Sequence, residues 1–167
     1  MLPYTALAVI DIDAIDDFDF GTWSASQGDV VGDSDFCVLS TRGNSGNPSD
    51  YAVTASPVGT ASFLVSGPGG ATIPYTLTFV DLLGGASEQL TPFIRTTRDN
   101  TGVPDCTGVQ NARLTVSINA VDLASAQSGT YQQSVSLYVQ NNNGSSIFEN
   151  FRIVINVPGQ VRISDLD

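Results

Sequence analysis

The stretch Ile73-Pro74-Tyr75-Thr76-Leu77-Thr78-Phe79 predicts the fold, because apolar and polar side chains alternate along it. In a β-strand alternate side chains point to opposite faces, so the apolar side chains would lie on one face and the threonines on the other. Residues 114–118 and 135–139 alternate in the same way. One buried face and one solvated face are typical of strands in a sandwich of two antiparallel sheets.

The rest of the chain repeats this signal. Further short stretches rich in Val, Ile, Thr and aromatic residues are 51–55, 61–65, 92–97 and 151–157. Runs of Gly, Asn and Pro separate them, and residues 121–127 form the single helix-like stretch. Many short strands without intervening helices predict an all-β protein, an Ig-like antiparallel β-sandwich.

Composition excludes several classes of function. The 167 residues fit one domain, and they carry a net charge of -11 with six Lys plus Arg and no His. All six cations are arginine, so nucleic acid and anionic membrane surfaces are poor partners. No apolar run approaches the roughly 18 residues that a membrane span needs, which predicts no membrane insertion.

The missing residue types also limit catalysis. Without His there is no Ser-His-Asp triad, and without Lys there is no Schiff base and no P-loop. A carboxylate pair of the glycosidase type is what remains, and no particular pair stands out. We therefore predict a protein that is not an enzyme and that needs no cofactor.

Two cysteines, Cys37 and Cys106, predict one disulfide in an exported protein. The alternative is two buried free thiols in a cytosolic domain. An acidic, lysine-free chain rich in Thr, Ser and Asn suits the cell exterior better than the cytosol, which favours the disulfide.

The two ends of the chain share one pattern: apolar, any, apolar, any, any, apolar, Asp. Its apolar positions are Ile10, Ile12 and Ile15 near the start, and Val161, Ile163 and Leu166 near the finish. One interpretation is that a terminal strand completes a sheet from outside, in a neighbouring copy or in a following domain. Strand donation between copies would cover an exposed apolar edge and build a fibre, because head-to-tail contacts that do not close generate filaments.

Three motifs together resemble a known family. Phe18-Asp19-Phe20-Gly21-Thr22-Trp23 follows the apolar N-terminal stretch, the alternating residues 73–79 come next, and Ser128-Gly129-Thr130-Tyr131 leads into residues 135–139. This arrangement resembles chaperone–usher fimbrial subunits, in particular the group around the spore coat protein U-like and CS1-type pilins. The resemblance covers most of residues 7–140.

The resemblance implies an incomplete Ig-like sandwich, to be completed by a donor strand from a neighbouring subunit. Residues 1–16 would be an N-terminal extension with the donor strand, 17–157 the pilin domain, and 158–167 a C-terminal strand or tail. The donor side chains would be Leu7, Val9, Ile12 and Ile15. An alternative C-terminal donor would use Val161, Ile163 and Leu166.

The function implied is that of a structural subunit of an extracellular filament on the cell surface, exported through the periplasm. Its partners would be copies of itself in a head-to-tail homopolymer, a periplasmic chaperone and an outer-membrane usher. The alternative function is an Ig-like adhesin or binding repeat of a larger cell-surface protein, with ligand contacts in loops 43–47 or 67–70.

Three features leave further alternatives open. A pilin of this kind would end soon after Val139, so the later residues either take part in strand exchange or begin a second domain at 161–167. The aspartates of residues 11–19 could hold Ca²⁺ or form the solvent face of a strand. The aromatic residues could include a sugar-stacking platform or all belong to the core; the candidates are Trp23, Tyr51, Tyr75, Tyr131 and Tyr138.

Overall fold

The secondary structure is almost entirely β, as the alternation predicts. The computed structural model describes residues 8–43, 46–97 and 99–159. The strands are β1 (Ile10–Ile12), β2 (Phe18–Thr22), β3 (Val30–Phe36), β4 (Val38–Arg42), β5 (Asn47–Pro48), β6 (Tyr51–Pro57), β7 (Leu64–Ser66), β8 (Thr72–Pro74), β9 (Thr76–Asp81), β10 (Ser87–Gln89), β11 (Ala112–Ile118), β12 (Gly129–Asn141) and β13 (Ser146–Val157). A short helix, α1 (Ala120–Ser125), lies where the helix-like stretch was predicted, and the side chain of Asn119 accepts a hydrogen bond from the Val121 amide at its start.

The strands form an Ig-like sandwich, which confirms the predicted fold class. The first sheet has the order β10-β9-β11-β3, and its neighbours are antiparallel. The second sheet has β2, β13 and β12 in order. The far side of β12 pairs with β6 at residues 135–141 and with β7 at Gln132, and β8 lies beyond β7. Strand β2 runs parallel to β13. A smaller sheet, β1-β4-β5, begins where β3 passes through Cys37 into β4.

Strand β13 explains residues 146–157, which are part of the stretch that the resemblance left over. It pairs with β12 from Val157 to Ser146, and with β2 on its other side. Its inward side chains Phe151, Ile153 and Ile155 are buried. The chain therefore supplies β13 to its own second sheet. Strand donation by the N-terminal or C-terminal segment remains a prediction.

The core lies between the two sheets and contains the alternating residues that the sequence predicts. Leu77 and Phe79 are fully buried on β9. The Phe79 ring meets Phe36 and Tyr51 edge-on, with ring centroids 6.3 and 6.2 Å apart. Such edge-to-face contacts add to the stabilisation that comes from burying the aromatic surface.

A long connection without named strands joins β10 to β11. Its isolated bridges to other strands are Arg95 to Thr54, Asn100 to Tyr51 and Val103 to Leu39. Cys106 in this connection is bonded to Cys37, with their Cα atoms 5.7 Å apart. The predicted disulfide is thus confirmed, and it ties the connection to the junction of β3 and β4.

Three predicted strands are shorter than expected. Residues 92–97 form only the bridge at Arg95, because Phe93 adopts φ 63°, a left-handed conformation that interrupts an extended chain. In the stretch 61–65, strand pairing begins only at Leu64. In the predicted N-terminal donor segment, the described residues 8–15 pair as a strand only from Ile10 to Ile12.

None of the described helices has the length and apolar character to cross a membrane.

An ion pair links two strands on the outer face of the first sheet. Asp35 of β3 lies directly opposite Arg113 of β11, and the Arg113 Nη2 atom donates to Asp35 Oδ2 at 2.8 Å. Asp33 lies 3.7 Å from the same guanidinium. The hydrogen bonds from Arg113 lower the pKa of Asp35, while partial burial opposes that change.

Replacing Asp35 with Asn should make stability less dependent on pH. The folded-state pKa of Asp35 is below the unfolded value of about 3.9. The ionised Asp35 therefore contributes to the free energy of unfolding above that pH, and this contribution is lost as the pH falls through the folded-state pKa. We expect Asp35→Asn to lower the free energy of unfolding by about 0.5 kcal/mol at pH 7, as for other partly exposed pairs, with the difference shrinking below about pH 4. Urea denaturation at pH 7 and pH 3 measures this, and Asp16→Asn is the control. A constant difference at both pH values would contradict the assignment.

Candidate functional site

Strand β1, the described part of the predicted donor segment, is an edge strand paired with β4 of its own chain. Its pairs are Ile10 with Ser40, Asp11 with Leu39 and Ile12 with Val38. Next to these, the Thr41 amide donates to the Val9 carbonyl at 2.9 Å, and the Asp13 amide donates to the Cys37 carbonyl at 3.0 Å. In the part of the chain that the structure describes, β1 is hydrogen-bonded as a strand on one side only.

The predicted donor side chains differ sharply in burial. Ile12 is 9% exposed and Ile15 is 5% exposed, and both belong to the core, whereas Val9 is 51% exposed. Burying an isoleucine fully contributes about 1.5–3 kcal/mol, so Ile12 and Ile15 anchor the segment while Val9 contributes mainly through its backbone. Leu7 lies outside the described residues. The alternative donor residues Val161, Ile163 and Leu166 also lie outside them.

The segment between β1 and β2 carries the chain from one sheet to the other. β1 is beside β4, whereas β2 is beside β13. The Asp16 amide donates to Ser34 Oγ at 3.1 Å, and the Arg152 amide donates to Asp17 Oδ1 at 2.7 Å. These two hydrogen bonds fix the five-residue connection 13–17 between the sheets. Moving β1 away from this domain would require that connection to change conformation.

The acidic residues beside β1 do not gather into a metal site in the described parts of the chain. Asp13 lies near the sulfur atoms of Cys37 and Cys106, and these three residues are the one described group of three potential metal ligands. Both sulfurs are in the disulfide, so neither is a thiolate ligand. The other aspartates of residues 11–19 form no such group within the described ranges.

The carboxyl groups with a shifted pKa are shifted towards the ionised form. Arg113 lowers the pKa of Asp35, and hydrogen bonds from Thr107 lower the pKa of Asp105. A glycosidase acid needs the opposite change, a raised pKa that keeps the group protonated. These two carboxyls therefore offer no support for catalysis.

The candidate sugar-stacking aromatics separate into two groups. Four of them are buried in the sandwich, namely Trp23, Tyr51, Tyr75 and Tyr131. Tyr138 of β12 is 43% exposed and lies opposite Phe148 of β13, which is 52% exposed. Sequence reasoning missed Phe148. The hairpin at residues 141–145 was the signal, because its register sets Phe148 beside Tyr138.

No protein-family model matches the chain, and no curated protein sequence matches it significantly. Solved structures do share its fold. The CooA pilin subunit from enterotoxigenic Escherichia coli superposes with a TM-score of 0.53 at 16% identity, over 89% of this chain and 97% of that one. CfaE, the adhesive subunit of CFA/I fimbria of enterotoxigenic Escherichia coli, gives a TM-score of 0.56 at 12% identity, over 87% of this chain and 48% of that one. A mutant of the same adhesin gives 0.56 at 12% identity, over 79% and 42%.

These neighbours are chaperone–usher fimbrial proteins, so the predicted resemblance is confirmed at the level of the fold. The chain spans nearly the whole pilin but less than half of the adhesin. One neighbour is a pilin subunit and the other an adhesive subunit, and at 12–16% identity the likeness shows a shared fold.

Proposed function

We propose that this chain is a structural subunit of an extracellular filament, whose copies are joined head to tail by exchange of strand β1. The observation that carries the proposal is a pilin fold in which the N-terminal strand occupies a sheet edge and is anchored by two buried isoleucines. In a filament, β1 of one copy would occupy the place beside β4 of the next.

Exchange of this kind preserves the contacts that β1 makes within one chain. Ile12 and Ile15 would enter the same core positions, and the same backbone pairs with β4 would form. The balance between β1 paired within its own chain and β1 exchanged between copies then depends on two things. One is the conformation of the connection at residues 13–17, and the other is the protein concentration. An exchange that passes from copy to copy without closing produces a fibre.

A copy whose β1 had left would expose an apolar site and an unpaired strand edge. Val38, which is fully buried, lies at this edge opposite Ile12. Exposed edges of this type are prone to aggregation. We therefore propose, as the resemblance implies, that a periplasmic chaperone covers the site before an outer-membrane usher passes the subunit to the growing fibre at the cell surface.

The C-terminal segment is the alternative donor. Val161, Ile163 and Leu166 have the spacing of Ile10, Ile12 and Ile15, so the segment would present apolar side chains at the same intervals. In the N-terminal occurrence of this pattern, Ile12 and Ile15 lie in the core and Ile10 packs against it. We propose this segment as the donor if β1 stays within its own chain.

Cysteine crosslinking between β1 and β4 tests the exchange. Ile10 and Ser40 are directly opposite and lie between the hydrogen-bonded pairs of the ladder, where Cα atoms approach to about 4.5 Å, within the range of a disulfide. We expect chains with Ile10→Cys, mixed with chains of different mass carrying Ser40→Cys, to form the mixed disulfide under oxidising conditions. The readout is a non-reducing gel, with the crosslinked peptides identified by mass spectrometry.

Two controls make the result specific. Val31→Cys, at a site 60% exposed on the other sheet, measures random crosslinking in the same mixture. The double variant with both Ile10→Cys and Ser40→Cys should give a ladder of multimers if exchange occurs. Two results together would contradict exchange of β1. They are a double variant that yields only crosslinked monomer, and a mixture that gives no mixed dimer above the Val31→Cys level.

The second candidate function is an adhesin or a binding repeat of a larger surface protein. The observation that favours it is the match to CfaE, an adhesive subunit, of which this chain covers about half. A particle that stays monomeric and binds a ligand would support this function over the filament.

A further inference from the structure

The outward side of the β12–β13 hairpin differs from the rest of this acidic surface. We call it the hairpin face, and define it by the side chains of the two strands that point away from the core. On β12 these are Thr130, Gln132, Ser134, Ser136, Tyr138 and Gln140, and on β13 they are Ser146, Phe148, Asn150, Arg152, Val154 and Asn156. The set consists of hydroxyls, amides, two aromatic rings, one Val and one Arg.

The hairpin face carries no carboxylate, although the chain has 17 Asp plus Glu. Glu149 is the single acidic residue of these two fully described strands, and the alternation places it on the opposite side. The outer face of the first sheet, by contrast, presents Asp33 and Asp35. The absence of acids is thus a property of the outward side of these two strands. Carboxylates border the face on its β2 side, where Asp19 pairs with Val154 and Asp17 Oδ2 lies 3.9 Å from Arg152 Nε.

Two aromatic rings form an exposed platform at one end of the hairpin face. The rings of Tyr138 and Phe148 are 5.4 Å apart between centroids and inclined by 36°. Each is about half exposed, at 43% and 52%. Adjacent exposed rings form a contiguous apolar surface, which marks a binding site more often than an isolated exposed side chain does.

Fixed polar groups continue from the platform. Next along the strands, Ser136 Oγ and Asn150 Oδ1 are 2.6 Å apart in a hydrogen bond, and Ser136 is only 9% exposed. This hydrogen bond orients the Asn150 amide beside the rings. The platform and these two side chains therefore offer a ring surface and polar groups with fixed orientation side by side.

A polar hollow of about 510 Å³ lies at the other end of the hairpin face. It is lined by Thr60, Ser66, Gln132, Ser134 and Arg152, among others. Its wall is fixed by buried Gln133, which donates to Thr60 Oγ1 at 2.8 Å and accepts from the hydroxyl of Tyr75. Ser134 precedes Tyr138 by four residues, so the hollow lies about 13 Å from the platform along the strand.

We propose that the hairpin face binds an oligosaccharide, with one sugar ring stacked on Tyr138 and Phe148 and the chain running towards the hollow at Arg152. Sugars combine apolar ring faces with many hydroxyl groups, and the face offers aromatic rings followed by amide and hydroxyl groups. The side chain of Arg152 is about half exposed, and its Nε atom lies 3.9 Å from Asp17 Oδ2. The other guanidinium N–H groups provide planar donors for a sugar hydroxyl at the far end.

A second protein fits this face less well. A stable protein interface buries about 800 Å² on each partner around an apolar centre, whereas the hairpin face has one aromatic pair and Val154 among polar side chains. The proposed site lies away from the β1–β4 edge. It is therefore compatible with a filament subunit and with an adhesin, and it does not depend on strand exchange.

Glycan binding by the monomeric fraction of the full chain tests the proposal. The probe is an array of neutral and sialylated oligosaccharides that includes chitotetraose and maltotetraose. We expect at least one glycan to be retained, and titration of that glycan followed by NMR should shift the amides of β12 and β13. Tyr138→Ala with Phe148→Ala should weaken its affinity at least about tenfold, because the stacking surface is lost.

Matched variants separate recognition from a general loss of structure. Leu83→Ala removes an equally exposed apolar side chain elsewhere and should leave the affinity unchanged, and Tyr138→Phe, which keeps the ring, should stay within about threefold. Retention of no glycan would overturn the proposal. So would unchanged affinity in the double alanine variant, or a dimer in sedimentation analysis that depends on Tyr138. Because the monomer is used, the outcome is independent of whether β1 is exchanged.

Discussion

Replacing Cys37 and Cys106 together with alanine is expected to lower the free energy of unfolding by about 4 kcal/mol. The disulfide joins positions 69 residues apart, and without it the unfolded chain gains the conformational freedom of that whole loop. In the folded state the bridge also holds the long β10–β11 connection against the junction of β3 and β4. A domain stability of about 5–15 kcal/mol makes a loss of this size easy to measure.

Guanidinium chloride denaturation of the wild type, with and without reducing agent, is the matched experiment. Reduction of the wild type should shift the midpoint as far as the double alanine substitution does, whereas the double alanine variant should not respond to reducing agent. A wild type that is equally stable when reduced, or a variant that loses less than about 1 kcal/mol, would show that the loop is restrained by its other contacts.

Sequence patterns predict which face of a strand is buried better than they predict its partner. The alternation at residues 73–79 correctly marks buried and exposed positions, yet the chain changes sheets in the middle of it. Strand β8 ends at Pro74 and pairs with β7 in the second sheet, whereas β9 begins at Thr76 and pairs with β11 in the first. Period-2 alternation is a local property, but pairing depends on residues far along the chain.

The candidate site shows the same division. Ile12 and Ile15 were predicted to fill an apolar groove, and they are buried, but in the core of their own chain. The surplus after Val139 could not be explained by sequence alone, because a hairpin strand that completes a sheet has the same pattern as a donated one. The turn at residues 141–145 marks a hairpin in the sequence, and the register of β12 and β13 then shows that Phe148 lies opposite Tyr138.

Asn111 explains how the edge that receives β1 is held in place. Its side chain is fully buried, and its Oδ1 atom accepts from the Val38 amide at 2.7 Å. Its Nδ2 atom donates to the carbonyls of Val38 and Thr101, at 3.0 and 2.9 Å. The Asn111 side-chain amide therefore hydrogen-bonds Val38 at the start of β4 as a neighbouring strand would. It also links Val38 to Thr101 in the β10–β11 connection.

Asn111→Ala should therefore lower the free energy of unfolding by about 3 kcal/mol and weaken the pairing of β1 with β4. The substitution leaves the buried Val38 amide and the Thr101 carbonyl without this partner, at about 1–3 kcal/mol for each such group, whereas the Val38 carbonyl keeps its contact with the Val103 amide at 3.3 Å. The control is Asn156→Ala, which removes exposed side-chain hydrogen bonds with Thr22 and Thr130 and should cost less than about 1 kcal/mol. Denaturation measures the global effect. Hydrogen exchange at the amides of Thr41 and Asp13 measures the local one, because both bond across the β1–β4 pair. If Asn111→Ala lost no more stability than the control, or if exchange at these two amides were unchanged, Asn111 would not be what holds β4 in position to receive the strand.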